Sequence, residues 1–291
     1  MADKLKEHYG ITLSASAAAV ITERHAQSLQ EEDTLPAQTS RIAPLTLIAE
    51  VDGSMIPVVA TGNPDTPGAD KRKHRAVQWK EARLSLVRRP DEVEPTFAVT
   101  LGDTTAAGAT LMQLAGAAGL TGHTRVHAIG DGAPWIAEQV EVQFGARGSY
   151  LIDLYHLCEY LACAAPSCDA DPAAWVARQK EQLKAGALSQ VMSELKRHIE
   201  PDRVPNEGAP VRRCFRYMDN RPGQFDYPSA IAANLPVGSG EVESAHRYII
   251  QTRLKVPGAW WLPDNAQAML NLRVLRANHR WDDYWDQRAA A

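Results

Sequence analysis

The sequence predicts an α/β fold: a mixed sheet flanked by helices, interrupted by a mostly helical insertion and preceded by a short helical N-terminal segment. Three observations carry this prediction. From Leu45 the chain runs in short apolar segments. After TFAVTLG those segments alternate with helical ones. From residue 154 to about 235 the pattern is helical or loose, with no strand signal.

Residues 1–43 read as two helices. KLKEHYG ends at Gly10, and Ser14 or Ser16 caps ASAAAVITERHAQSLQEED. A short helix, a glycine turn and a longer helix have the outline of part of a helix-turn-helix, although any helical hairpin gives the same pattern. Residues 44–153 hold the first part of the sheet. LTLIAEVD is apolar on both alternating faces, as a central strand is, and SMIPVVATG is its expected antiparallel partner. Beyond the polar loop NPDTPGADKRKHR, EARLSLV and TFAVTLG are further strands. TAAGATLMQLAGAAG reads as a helix, RVHAIGD as a strand, PWIAEQVEVQF as a helix opened by Pro134, and SYLID as a short strand. Strands in meander order followed by strands alternating with helices are the layout of an RNase H-like fold. Residues 154–235 are the insertion: three helical segments, then a looser proline-bearing stretch. Residues 236–291 return to the sheet domain through LPVGSGEVESAHRYIIQTRLK and end in the helix PDNAQAMLNLRVLRANHRW.

Composition narrows the function classes. Hydrophobic residues make up 45% and charged residues 23%, an ordinary balance for a globular chain. MADKLKEHYG has no apolar core for a secretory signal, and no run approaches the ~18–20 apolar residues that cross a bilayer. Cys158, Cys163, Cys168 and Cys214 form no CxxC pair, which argues against a zinc site or disulfide framework and for a cytoplasmic location. The net charge of −4 hides an asymmetry. Lys196–Arg280 carries 13 Lys/Arg against 8 Asp/Glu, and the remainder carries 18 against 27. A basic C-terminal portion beside a carboxylate-rich remainder suits DNA binding next to metal ligands, although a fluctuation in surface charge gives the same count.

The chemistry lies in carboxylates brought from distant parts of the chain. Asp52 and Asp131 each end an apolar run and precede a glycine. Alone, each is a turn residue. Together, on adjacent strand ends, two carboxylates repel unless a cation lies between them. Magnesium takes hard oxygen ligands and keeps waters or substrate phosphates, and with a third carboxylate two ions can serve the attacking and leaving oxygens of a phosphodiester. The third acid is Glu241 or Glu243. Glu243 lies near the helix face of Val242, Ala245 and Ile249, one turn from Arg247 and near His246, whereas Glu241 sits in the first turn as a dipole complement. Ser239 is the expected N-cap, and the N–H groups it leaves at the helix start can bind a DNA phosphate. Asp153 and His156 share one side of the following helix, where a cap and a solvent-facing histidine explain them as well. Arg212, Arg213, Arg216, Arg253 and Lys255 are candidate phosphate contacts, with Lys71–Arg75 equally readable as a solvated loop. Trp135, Trp260 and Trp261 can stack on an unpaired base or serve the core.

Asp52-Gly, Gly130-Asp131-Gly132 with Trp135, Asp153-x-x-His156 and Gly-Ser-Gly-x-x-Glu243-Ser, in this order, resemble a DDE transposase. Arg253-Leu-Lys255, Gly258, Trp260-Trp261 and Ala-Met-Leu-Asn-Leu-Arg273 are similar to the Kra-type bacterial insertion-sequence transposases and, more distantly, the Mutator-like superfamily. The resemblance covers about residues 44–280. It implies that Asp52, Asp131 and Glu243 hold two Mg2+ ions, which Mn2+ can replace. It also implies that Asp153 and His156 are accessory, and that a homo-oligomer acts on element terminal repeats and target DNA. A DNA-binding relic without catalysis and an RNase H-like nuclease that only hydrolyses are the rival expectations.

Overall fold

The computed structural model describes residues 2–29, 34–35, 43–61 and 75–290. Five strands among them, β1 (Thr46–Thr61), β2 (Arg75–Arg88), β3 (Thr96–Thr100), β4 (Arg125–Gly130) and β5 (Gly148–Ile152), form one sheet. Its order is β3-β2-β1-β4-β5. The first three strands run antiparallel to their neighbours, and β4 and β5 run parallel to β1. This is the α/β, RNase H-like arrangement that the sequence predicts.

SMIPVVATG is not a separate strand. β1 runs straight through Asp52-Gly53, with Asp52 opposite Leu84 and Gly53 opposite Arg83. The antiparallel partner is β2, so Asp-Gly lies inside a strand and makes no turn. β1 leaves β4 after Glu50, and β2 leaves β3 beyond Arg83. From there the two strands pair with each other, and Val59 N–H on the open edge of β1 donates to Trp261 O at 2.8 Å.

Helices cover both faces. On one face, Leu47, Ala49 and Val51 pack on α3 and α4, below. On the other, Leu84, Leu86, Ile56 and Val58 join a core with the C-terminal helices. In chain order the helices begin with α1 (Ala2–Tyr9) and α2 (Ala15–Gln27), the latter capped by Ser14, whose oxygen accepts Ala17 N–H at 3.1 Å. Then come α3 (Thr104–Ala117) and α4 (Pro134–Phe144). The insertion holds α5 (Leu154–Cys168), α6 (Pro172–Lys184), α7 (Leu188–Arg197), α8 (Pro210–Asp219) and α9 (Tyr227–Ala232). The stretch expected to be loose therefore supplies two helices. Pro210 and Pro228 stand in first turns, where proline opens a helix instead of breaking it. The chain closes with α10 (Gly240–Ala245), a π turn (His246–Gln251), α11 (Thr252–Leu254), α12 (Pro263–Ala277) and α13 (Trp281–Ala290). The expected last helix stops at Ala277, with His279 at φ 57° just beyond it, and α13 is a further helix. α2 buries Ala26 in the core shared with α12, and His25 Nδ1 lies 3.1 Å from the Tyr284 hydroxyl.

The insertion has its own core, in which Leu157, Leu161, Trp175, Leu183, Val191 and Val211 are buried together. Trp175 is its largest member. Trp175→Ala is expected to destabilise by about 3–5 kcal/mol, the cost of an aromatic cavity. Urea unfolding followed by circular dichroism checks this, and an unchanged midpoint rules it out.

Candidate carboxylate site

The parallel pairing of β1 and β4 sets Glu50 opposite Ile129. Asp52 lies two residues beyond that pair on β1, where the ladder with β4 has ended, and Asp131 follows the last residue of β4. At the end of β5, Asp153 N–H donates to Gly130 O at 2.8 Å. The carboxyl ends of two parallel strands and the middle of β1 thus converge, the place where open α/β sheets build sites.

The insertion grips the Asp131 turn. Asp131 Oδ1 accepts Ala133 N–H at 2.8 Å, and the Tyr217 hydroxyl donates to Asp131 O at 2.7 Å. Arg221 Nε donates to Gly132 O at 2.8 Å, and its guanidinium lies 3.9 Å from the centre of the Tyr217 ring. Gly132 N–H donates to the Tyr150 hydroxyl at 3.0 Å. Burial pushes the Tyr150 and Tyr217 hydroxyls up, so both remain protonated. Gly132 has φ +85°, and a Cβ there would collide with the Tyr217 hydroxyl. Glycine is required on both counts.

Asp153 is a clamp. It is 2% exposed. Its Oδ1 caps α5 by accepting Tyr155 N–H at 2.6 Å and His156 N–H at 3.1 Å. Its Oδ2 accepts the Ser239 N–H and hydroxyl, each at 2.7 Å. Ser239 stands at the expected N-cap position of α10, but its buried hydroxyl makes no capping bond and is turned to Asp153. Asp153 ties the start of α5 to the start of α10.

α10 carries both candidate glutamates, and their surroundings separate them. Glu241 is held by Arg88, whose Nε and terminal nitrogen reach its two oxygens at 2.5–3.0 Å. Glu243 is exposed, while Val242 and Ala245 beside it are buried. Its carboxyl is held above the ordinary range, first by burial and then by the negative charges of Asp153, Asp52 and Glu159, with His156 pulling the other way. The charges of Asp153 and Asp52 thus both reach Glu243. His156 is half-buried, its ring 5.6 Å from Tyr160 and 6.2 Å from Tyr217, with Nδ1 3.6 Å from Glu159.

Two residues of the site went unassigned in the sequence. Glu50, 1% exposed, accepts Val242 N–H at 2.9 Å, and burial pushes its carboxyl up to about 8. An acid inside an apolar run, two residues before Asp52 and so on the same face, was its signal. His246 is 3% exposed, with Nε2 3.1 Å from Asp52 Oδ2. Its spacing of three from Glu243 was visible, but the π turn that begins at it was not.

Asp52 also accepts Gly53 N–H at 2.7 Å through Oδ1. Among the described residues no group of three His, Cys, Asp or Glu side chains is close enough to hold a metal ion alone. The structure puts Asp52 and Asp131 just past the last paired residues of β1 and β4, with the charge of Asp52 reaching Glu243. It does not close the three into a cage.

The expected DNA contacts divide. Arg247, Arg253 and Lys255 are exposed beyond Glu243, with Arg253 5.2 Å over the Trp261 ring. Arg213 and Arg216 are exposed on α8. Arg212 instead donates to the carbonyls of Glu200, Pro201 and Val204, which holds a loop of the insertion. Lys71–His74 lie outside the described residues. Trp261 is buried and Trp260 exposed, while half-buried Trp135 lies under Arg83 at 5.3 Å. No helix among the described residues is long and apolar enough to cross a membrane.

No protein-family model and no curated protein sequence matches the chain. Among solved structures, the Drosophila P element transposase strand transfer complex is similar at 11% identity and a TM-score of 0.29, over 90% of this chain and 69% of that one.

Proposed function

We propose that the protein is a DDE-type transposase that cuts DNA at element ends and joins the freed 3′-hydroxyl to target DNA, using Asp52, Asp131 and Glu243. One observation carries this reading: Asp52 and Asp131 each follow the last β1–β4 pair, Glu50 opposite Ile129, by two residues, and the charge of Asp52 reaches Glu243. Like charges gathered at a sheet end favour a cation. The donors are hard oxygens, which suits Mg2+ or Mn2+ in a site that substrate phosphates complete. Bound there, the ions supply positive charge to the attacking and leaving oxygens.

The chain's own groups position the DNA. Arg247 follows Glu243 by one turn, and Arg253 and Lys255 extend the same cationic stretch. Arg213 adds a phosphate contact from the insertion. Asp153 and Ser239 act on the frame of the site, and His156 lies beside Glu243. Assembly of two or more copies on paired DNA ends fits the same reading. The rival, a DNA-binding protein without catalysis, draws support from the absence of a closed three-ligand group among the described residues.

The test uses DNA fragments that flank the reading frame, with Mg2+, Mn2+ or EDTA. Metal-dependent nicking followed by joined products is the expected result. Nicking without joining would assign a nuclease, and salt-sensitive binding with no cleavage under any metal would assign the DNA-binding rival.

A further inference from the structure

Glu50 and Asp52 stand two apart on β1 and point to the same face. Across from them, Val242 and His246 stand four apart, one helical turn, around Glu243. Two contacts join the pairs. Val242 N–H donates to Glu50 Oε2 at 2.9 Å, and His246 Nε2 lies 3.1 Å from Asp52 Oδ2. Both side chains are almost wholly buried. Neither ring nitrogen of His246 makes a hydrogen bond among the described residues, so its 3.1 Å approach to Asp52 is a close polar contact and not an aligned hydrogen bond. The π turn starts at His246 itself, and such widened turns concentrate at functional sites.

We propose that Glu50 and His246 form a two-point latch that sets Glu243 against Asp52, which makes both of them positioning residues. Glu243 sits between the two anchored residues, so it cannot move along β1 without breaking one contact. Glu50 accepts an N–H from the first turn of α10, and His246 sets Nε2 against Asp52 at 3.1 Å. The latch rests on the metal-holding reading of Asp52 and Glu243.

Side-chain length tests it. Glu50→Asp and His246→Asn keep polarity but stop short of their partners, whereas Glu50→Gln and His246→Gln keep both reach and the needed acceptor or donor. Mn2+ affinity of the full chain, read from the electron paramagnetic resonance of free Mn2+, is the probe, with melting temperature in EDTA as the check on folding. The short variants are expected to bind Mn2+ about tenfold more weakly, the usual loss on removing an outer partner of a ligand. The long variants are expected to stay within about threefold of the parent. Asp52→Asn is the control. If Asp52→Asn weakens Mn2+ binding while the short variants bind as the parent does, the latch is overturned and the site reading survives. If Asp52→Asn changes nothing, the site reading falls and the latch with it. Should Glu50→Asp not fold, the two His246 variants decide the question.

Discussion

Glu243→Gln is expected to lower metal-dependent DNA cleavage by roughly a thousandfold, the scale of losing one charge that acts on the transition state. The same change should leave the protein no less stable. Glu243 is held above the ordinary carboxylate range by burial and by Asp153, Asp52 and Glu159, so neutralising it relieves repulsion. Loss of activity without loss of stability is the mark of a group kept for function. Glu241→Gln gives the opposite pattern. It breaks the two-pronged pair with Arg88 and costs about 0.5–1 kcal/mol, because Glu241 is partly exposed and water screens the pair. Cleavage should survive it. Assays of both variants on one substrate, with thermal melts alongside, separate the two glutamates. An active Glu243→Gln, or an inactive but well-folded Glu241→Gln, would reverse the assignment.

Helix position and the family resemblance together set Glu243 apart from Glu241 in the sequence, and the structure adds the pairing of Glu241 with Arg88. Asp131 was legible because RVHAIG is a clean apolar strand with glycine after the acid. Asp52 was legible for a partly wrong reason. Asp-Gly suggested a turn, yet the ladder with β2 carries the strand through it. Turn propensity is local, whereas a paired strand on each side overrides it.

Ser239 shows a different limit. A serine before a helix suggests a cap, but a buried aspartate 86 residues earlier claims its hydroxyl. No local pattern contains that partner. The grip of Tyr217 and Arg221 on the Asp131 turn is hidden in the same way, since it reaches from a stretch whose prolines read as loop. The insertion is thus attached to the carboxylate site as well as carried beside it. Changes in α8 should reach Asp131 through the turn backbone.

The second large effect concerns Glu50 and pH. Its carboxyl is moved from 4.5 to about 8, mainly by burial, with Val242 N–H pulling it back down. Below pH 4.5 both folded and unfolded chains hold this proton, and Glu50 adds no pH dependence. Between 4.5 and 8 the unfolded chain releases the proton and the folded one keeps it, so stability falls as pH rises. Above 8 the deficit is complete, with an upper bound of ~5 kcal/mol at ~1.4 kcal/mol per pH unit. Gln at this position keeps an acceptor for Val242 N–H and cannot ionise. Glu50→Gln is therefore expected to match the parent near pH 4 and to exceed it increasingly until just above pH 8, by as much as ~5 kcal/mol. Urea unfolding in EDTA at several pH values measures the gap. A gap that stays flat across that range would mean that Glu50 ionises in the folded protein as easily as in water, and that burial against α10 costs it nothing.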